Sequence, residues 1–327
     1  MATFRFRSNR WQARVRRKGY PDETKSFATR QDAEKWARAL ESEIDKGQFA
    51  SVSEAQRTTL GDLIARYLVE VTSSMKGAPA DTIRLKAIMR KPIARWSMAN
   101  LTAARVAAYR DERLKEVSAG TVIRELAYIS AIVNHARREW GINVPNPVQM
   151  VRKPQSPQAR LRVLSDVEIQ KLLQALEPTG RQSHWTKPAV QLALATAMRR
   201  GELLSLRWEH VDLLGRTAFL PDTKNGESRT VPLSTAAVQV LKALPRHISG
   251  VVIPVQFFTL DAAFKRALAR AGLADVRFHD LRRTAITRMA EKLPNVIELA
   301  AVSGHKSLMV LRRYYRPLAT ELASKLG

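Results

Sequence analysis

The chemistry-bearing residues of this 327-residue chain lie in its second half, and they follow one another in a telling order. An apolar stretch ends in Ala197-Met198-Arg199-Arg200-Gly201-Glu202. Lys224 stands in Lys224-Asn225-Gly226, a turn signal between two strand-like runs. His279-Asp280-Leu281-Arg282 opens a helical stretch, and Ser303-Gly304-His305 is followed nine residues later by Arg313-Tyr314-Tyr315. Each residue alone has an ordinary structural explanation. Together they are the cast that attack on a phosphodiester by a tyrosine would require. Such attack builds negative charge on the non-bridging oxygens, which two fixed guanidiniums can bind bidentately without a metal. A tyrosine, with a pKa of about 10, is a poor nucleophile until a cationic site or a nearby base assists it. The departing hydroxyl needs a proton, which a lysine or histidine can supply. Glu202, one turn past Arg199, can fix a guanidinium or decorate a helix surface.

These residues need a scaffold, and the spacing of apolar residues supplies one. Ser165 and Glu168 form a capping box ahead of Ile169, Leu172, Leu173 and Leu176. Residues 188–207 read as an apolar helix interrupted at Met198–Gly201. Residues 211–213, 217–220 and 229–233 read as strands, and helices are expected near 235–244, 259–271, 280–293, 295–303 and 307–316. Upstream, residues 58–150 carry helical periodicity with almost no strand signal. One apolar face holds Leu60, Leu63, Ile64, Tyr67 and Leu68, and a second holds Ile83, Ala87 and Ile88. Val106, Ala107, Tyr109 and Leu114 mark a third helix, and Val122, Leu126, Ile129, Ile132, Val133 and Ala136 a fourth. The first 28 residues alternate as short strands, and Thr29 with Asp32 caps a helix that Gly47 can end.

Polar stretches at 51–56 and 152–158, the latter rich in proline, mark linkers. The expected fold is mainly α with small β-sheets, in three parts. Residues 1–55 form a small β-sheet-plus-helix DNA-binding domain, 56–153 a four-helix DNA-binding domain, and 160–327 an α+β catalytic domain.

Charge names the partner. Lys and Arg number 55 against 30 acidic residues, a net charge of +25. Solubility alone does not ask for so large an excess, whereas each cation that neutralises a phosphate releases condensed counterions. Nine Lys or Arg against two acidic residues fall within residues 1–30. Alternation puts Arg5, Arg7, Arg14 and Arg16 on sheet faces that suit a DNA groove. Lys86 and Arg90, with Lys76, Arg84, Lys91 and Arg95, cluster around the second helix of the next domain and suit phosphate contacts. No run approaches the roughly 18 apolar residues of a membrane span, and the N-terminus has no apolar run resembling a signal peptide. Cysteine is absent, which removes disulfides and thiolate metal sites and fits a reducing cytoplasm.

With these boxes in this order, the sequence resembles the tyrosine recombinase (phage integrase) family. The resemblance is specific over 160–327 and looser over the helical part before it. It implies Arg199 and Arg282 as the phosphate-gripping arginines and Lys224 as general acid. It further implies His279 and His305 as supporting acid/base and phosphate ligands, and Tyr314 as nucleophile. The implied activity is site-specific cutting and rejoining of double-stranded DNA through a 3′-phosphotyrosine, with no metal, ATP or other cofactor. A homotetramer on paired recombination sites, accessory DNA-bending proteins and a prokaryotic cytoplasm go with it. A C-terminal segment such as 318–323 would dock on a neighbouring subunit. The alternative is a non-catalytic DNA-binding protein of the same fold. Two departures stand out. Ala197 occupies a position where the family often has glycine, which a helix would tolerate. The tyrosine is doubled, and the spacing from His305 selects Tyr314 over Tyr315.

Overall fold

The computed structural model describes residues 2–17, 22–45, 52–142, 144–158, 160–178, 184–222, 227–314 and 319–326. The chain divides into two compact units, Met1–Ala159 and Arg160–Gly327. The boundary follows the proline-rich stretch 152–158, which contains neither helix nor strand.

The first unit begins with an antiparallel sheet of β1 (Ala2–Arg7), β2 (Arg10–Val15) and β3 (Glu23–Phe27). Ser8 and Asn9, at φ +52° and +59°, make the tight turn between β1 and β2, the left-handed pair that such a hairpin requires. Pleating then sorts the side chains. Ala13 and Val15 are buried, and Val15 packs with Ala37, Leu40 and Ile44 of α1 (Arg30–Asp45), where Phe4 and Trp36 join them. Arg5 pairs across the strands with Gln12, and Arg7 with Arg10, so Arg5, Arg7, Arg10 and Arg14 share the exposed face. Arg16 lies just past β2, and both it and Arg14 pair with Asp22, at 3.2 and 2.6 Å. Thr29 caps α1 as expected, its hydroxyl accepting from the Asp32 N–H at 3.2 Å. Gly47 lies outside the described residues.

The rest of this unit is helical: α2 (Val52–Arg57), α3 (Leu60–Glu70), α4 (Ala78–Met89), α5 (Ala103–Glu116) and α6 (Ala119–Glu139). Two expectations change here. The stretch 51–56 is not an open linker, because Val52–Arg57 is a helical turn whose Ala55 is buried in the helical core. On α4 the buried pair is Leu85 and Ile88; Ile83 and Ala87 face solvent. With Leu85 and Ile88 three residues apart turned inward, Ile83 is carried to the outer side of the helix. Lys86 and Arg90 are exposed on the same outer surface. α5 and α6 are locked by a buried triad in which the Tyr109 hydroxyl donates to Glu125 at 2.7 Å and Arg113 grips the same carboxylate at 2.7 and 2.9 Å. A buried carboxylate with three donors is satisfied.

The second unit holds α7 (Asp166–Ala175), α8 (Thr186–Thr196), α9 (Arg200–Ser205) and a small antiparallel sheet, β4 (Val211–Asp212), β5 (Thr217–Leu220) and β6 (Arg229–Pro232). Helices α10 (Thr235–Ala243), α11 (Phe257–Arg270), α12 (Phe278–Lys292), α13 (Val296–Ser303), α14 (Leu308–Leu311) and α15 (Ala319–Leu326) follow. The Ser165–Glu168 capping box forms as expected. One large core runs from Leu164 to Leu281. A smaller one joins Ala197, Ala285, Ile286, Ala290, Leu299 and Leu311, with Tyr314 packed against it. Of the helix expected over 307–316, the described residues form Leu308–Leu311; the chain turns at 312–314 with the Tyr314 N–H donating to Leu311 O at 2.8 Å, and residues 315 and 316 lie outside the described ones. Among the described residues no helix is long and apolar enough to cross a membrane.

Candidate active site

The site starts where α8 stops. Ala197 sits beyond its last turn at φ +54°, ψ +20°, fully buried. The helix therefore does not carry alanine here, as the sequence suggested; the position is a left-handed cap, the conformation glycine adopts at least cost. The turn frees the Ala197 carbonyl for Arg282 and starts α9 in a new direction at Arg199.

Glu202 fixes Arg199 twice. Its Oε2 accepts from the Arg199 N–H at 2.9 Å, and its Oε1 from Nη1 of the same side chain at 2.6 Å. A second guanidinium, Arg229 on β6, donates from Nη2 to Oε2 at 2.8 Å. Glu202 is 5% exposed. Burial works against its charge, but the Arg199 N–H and the two guanidiniums outweigh it and hold the carboxyl below the ordinary carboxylate range.

Arg282, on the first turns of α12, is 3% exposed. It donates to the Ala197 carbonyl and, at 2.6 Å, to Ser303 O. Burial first, then the neighbouring Arg199, push its pKa down to about 10, so it remains a cation at neutral pH. Asp280, in the same turn, caps the helix by accepting from the Arg277 N–H at 2.8 Å and is gripped by Arg160 at 3.0 and 3.1 Å.

Gly304, at φ +67°, ends α13, and His305 follows. The Ser303 hydroxyl bonds the Leu299 carbonyl at 2.6 Å and His305 Nδ1 at 2.8 Å. Enclosure, then the charges of Arg282 and Arg199, bring the His305 pKa down to about 4. His279 shares the trend: partial enclosure, then Arg282 and Arg283, lower it, although the residue as a whole is exposed. The Tyr314 ring is half-buried, its centroid 6.2 Å from that of His305 and 5.3 Å from the Arg283 guanidinium carbon.

Arg199, His279, Arg282, His305 and Tyr314 thus meet from four separate segments, and each feels the charge or packing of at least one other. Lys224 and Tyr315 lie outside the described residues. Among the described residues, no group of three or more His, Cys, Asp or Glu is placed to hold a metal ion. The sequence reading missed Arg229. A signal existed: alternation places Arg229 on the same side of β6 as buried Val231, and an inward arginine demands partners.

Residues 162–321 match the phage integrase family, and 56–154 match the phage integrase N-terminal domain. A Haemophilus influenzae protein described as an integrase/recombinase is 37% identical over 345 residues, spanning 100% of this chain and 91% of its own. The chain belongs to the phage integrase family. Within it, a shufflon-specific DNA recombinase of Escherichia coli is 39% identical over 83% of this chain and 72% of its own length. A lambda integrase dimer bound to a COC′ core site covers 96% of this chain and 94% of its own at TM-score 0.66 and 22% identity, which establishes the fold.

Proposed function

We propose that the protein is a site-specific DNA recombinase that cuts and rejoins strands through a 3′-phosphotyrosine. The observation that carries this reading is the convergence of two buried-edge arginines, two histidines and a tyrosine at the end of α13. In the proposed reaction the Tyr314 hydroxyl gives its proton to His305 as its oxygen attacks the scissile phosphorus, and the 5′-oxygen of the next nucleotide leaves, taking a proton that Lys224 supplies. Arg199 and Arg282 bind the non-bridging oxygens as charge builds, and their existing partners keep both guanidiniums oriented before DNA arrives. A 5′-hydroxyl from another strand then attacks the phosphotyrosine, tyrosine leaves, and the strand is sealed without ATP because the phosphoester bond was never hydrolysed.

The remaining parts supply DNA. Residues 1–55 present the arginine face of Arg5, Arg7 and Arg14, with Arg16 beside it, to a second class of sites. Residues 56–153 grip the core site, with Lys86 and Arg90 on phosphates, and 160–327 carry the chemistry. Four copies assemble on paired sites, as the lambda integrase tetramer does on a Holliday junction, with α15 reaching a neighbouring copy and DNA-bending proteins assisting. The protein works on DNA in a prokaryotic cytoplasm.

The test is a nicked suicide substrate carrying the protein's own site, incubated without metal or ATP. A covalent adduct is expected, and it should vanish in Tyr314→Phe and persist in Tyr315→Phe. Tight site binding with no adduct from the parent protein would leave a DNA-binding protein that keeps the fold.

A further inference from the structure

The last three carbonyls at the end of α13 are each held by a different arginine. Arg229 Nη1 donates to Val302 O at 2.6 Å, Arg282 Nη2 to Ser303 O at 2.6 Å, and Arg199 Nη2 to Gly304 O at 3.2 Å. A helix C-terminus carries partial negative charge, so three cations there are favourably placed. Two of the three are the proposed phosphate ligands. Arg229 is different. Its side chain is 12% exposed, its second amino group is bonded to Glu202, and its Nε is buried without a partner among the described residues. Its stem also lies along Gly304. A Cβ on that glycine would stand 2.8 Å from Arg229 Nε and 2.9 Å from Cδ and Cζ. Glycine at 304 is therefore required twice, by its left-handed backbone and by the arginine running past it.

We propose that Arg229 is a positioning residue for strand cleavage: it holds Glu202, and through it Arg199, against the α13 terminus from which His305 emerges. This rests on the recombinase reading above. Glu202 is shared by two guanidiniums whose separation is set by the carbonyls they also hold. Without Arg229, Glu202 keeps a single guanidinium partner. The carboxylate, left with only the backbone N–H and the side chain of Arg199, can then shift toward that side chain and draw its guanidinium away from the phosphate. The Val302 carbonyl loses its donor in the same step, loosening the turn before His305. Lysine cannot replace this, because a single ammonium lacks the fork that reaches a carboxylate and a carbonyl together.

The experiment uses the full chain, with Arg229→Met and Arg229→Lys. Rates of covalent adduct formation on the suicide substrate are measured at saturating DNA, beside DNA affinity and melting temperature. Misplacing a catalytic group by about 1 Å costs on the order of 100-fold in rate, so Met should lose about 100-fold and Lys about 10-fold. DNA affinity should stay within about threefold, because neither change touches an exposed cation. Two altered substrates separate positioning from other roles. A methylphosphonate at the scissile position, which carries no charge to neutralise, should shrink the defect because it demands less of Arg199. A 5′-bridging phosphorothiolate, whose sulfur leaves without a proton, should not shrink it. Parental cleavage by Arg229→Lys at parental melting temperature overturns the proposal. So does full restoration by the phosphorothiolate, which would assign Arg229 to leaving-group protonation. If Arg229→Met does not fold, Arg229→Lys decides alone. A parent protein that forms no adduct on any substrate refutes the recombinase reading instead.

Discussion

Arginine serves two opposite purposes in this chain. At the end of α13, Arg199, Arg229 and Arg282 are turned inward and tied to carbonyls and to Glu202. On the N-terminal sheet, Arg5, Arg7 and Arg10 stand exposed on one pleated face. The first set is oriented in advance and shielded, so salt screens it little; the second is exposed to water and screened over about 8–10 Å at physiological salt. Preorganised charge suits a developing transition state, and adaptable charge suits a phosphate backbone. The difference is visible in the partners more than in the residue type.

The sharpest way to test that contrast is to remove one arginine from each set. Arg282→Gln should slow adduct formation by about 1,000-fold or more at saturating DNA, in line with loss of a transition-state donor. It should leave the salt dependence of DNA affinity nearly unchanged. Arg5→Ala with Arg7→Ala should do the reverse, lowering the slope of log affinity against log salt by about one unit per arginine while cleavage at saturating DNA stays parental. If the sheet variants slowed chemistry, or if Arg282→Gln flattened the salt slope, the division of labour would be wrong.

A third test uses pH, because only the inward cluster contains histidines. His305 falls to about 4 and His279 is also lowered, against about 6.5 in the unfolded chain. Between these values the unfolded chain binds more protons than the folded one, so stability rises with pH across this window. Lowering the pH from 7 to 5 should therefore cost about 1 kcal/mol, after allowance for partial solvent exposure. The depressed carboxyl of Glu202 begins to lose its contribution only below about 4.5. Chemical denaturation at the two pH values measures the change, and a flat profile counts against the cluster's effect on the histidines.

The smallest effect concerns Ala197. Glycine there would relieve left-handed strain of about 1–2 kcal/mol. It would also lose a buried methyl worth about 1 kcal/mol and loosen the unfolded chain by a further ~0.5–1 kcal/mol. The terms nearly cancel, so Ala197→Gly should stay within about 1 kcal/mol of the parent in denaturant melts. A gain much above that would mean the methyl does not pack as the small core implies.

The features legible in the sequence were those with local causes. The capping pairs Thr29–Asp32 and Ser165–Glu168, the alternation of β2 and the stripes of α3 and α6 each follow from spacing within a few residues. What could not be read depends on distant partners. The left-handed cap at Ala197 hands its carbonyl to Arg282, 85 residues later. Glu202 resolves as a shared ligand only once β6 delivers Arg229. The helix expected beyond Ser307 ends at Leu311 because the chain must turn to seat Tyr314 against the small core.

Ser303 has one further consequence. A hydroxyl owns a single hydrogen, and its 2.6 Å approach to the Leu299 carbonyl spends that hydrogen there. Toward His305 the Ser303 oxygen is left with lone pairs only, so the proton between them belongs to Nδ1 of the imidazole. With a pKa near 4 the ring is neutral at physiological pH, and its Nε2 presents an electron pair. In the proposed reaction this tautomer equips His305 to receive a proton from the attacking tyrosine and to return it when the strand is resealed. To donate to a phosphate oxygen through Nε2 it must first become an imidazolium. The serine before the glycine therefore decides which ring nitrogen carries the hydrogen and which is left open.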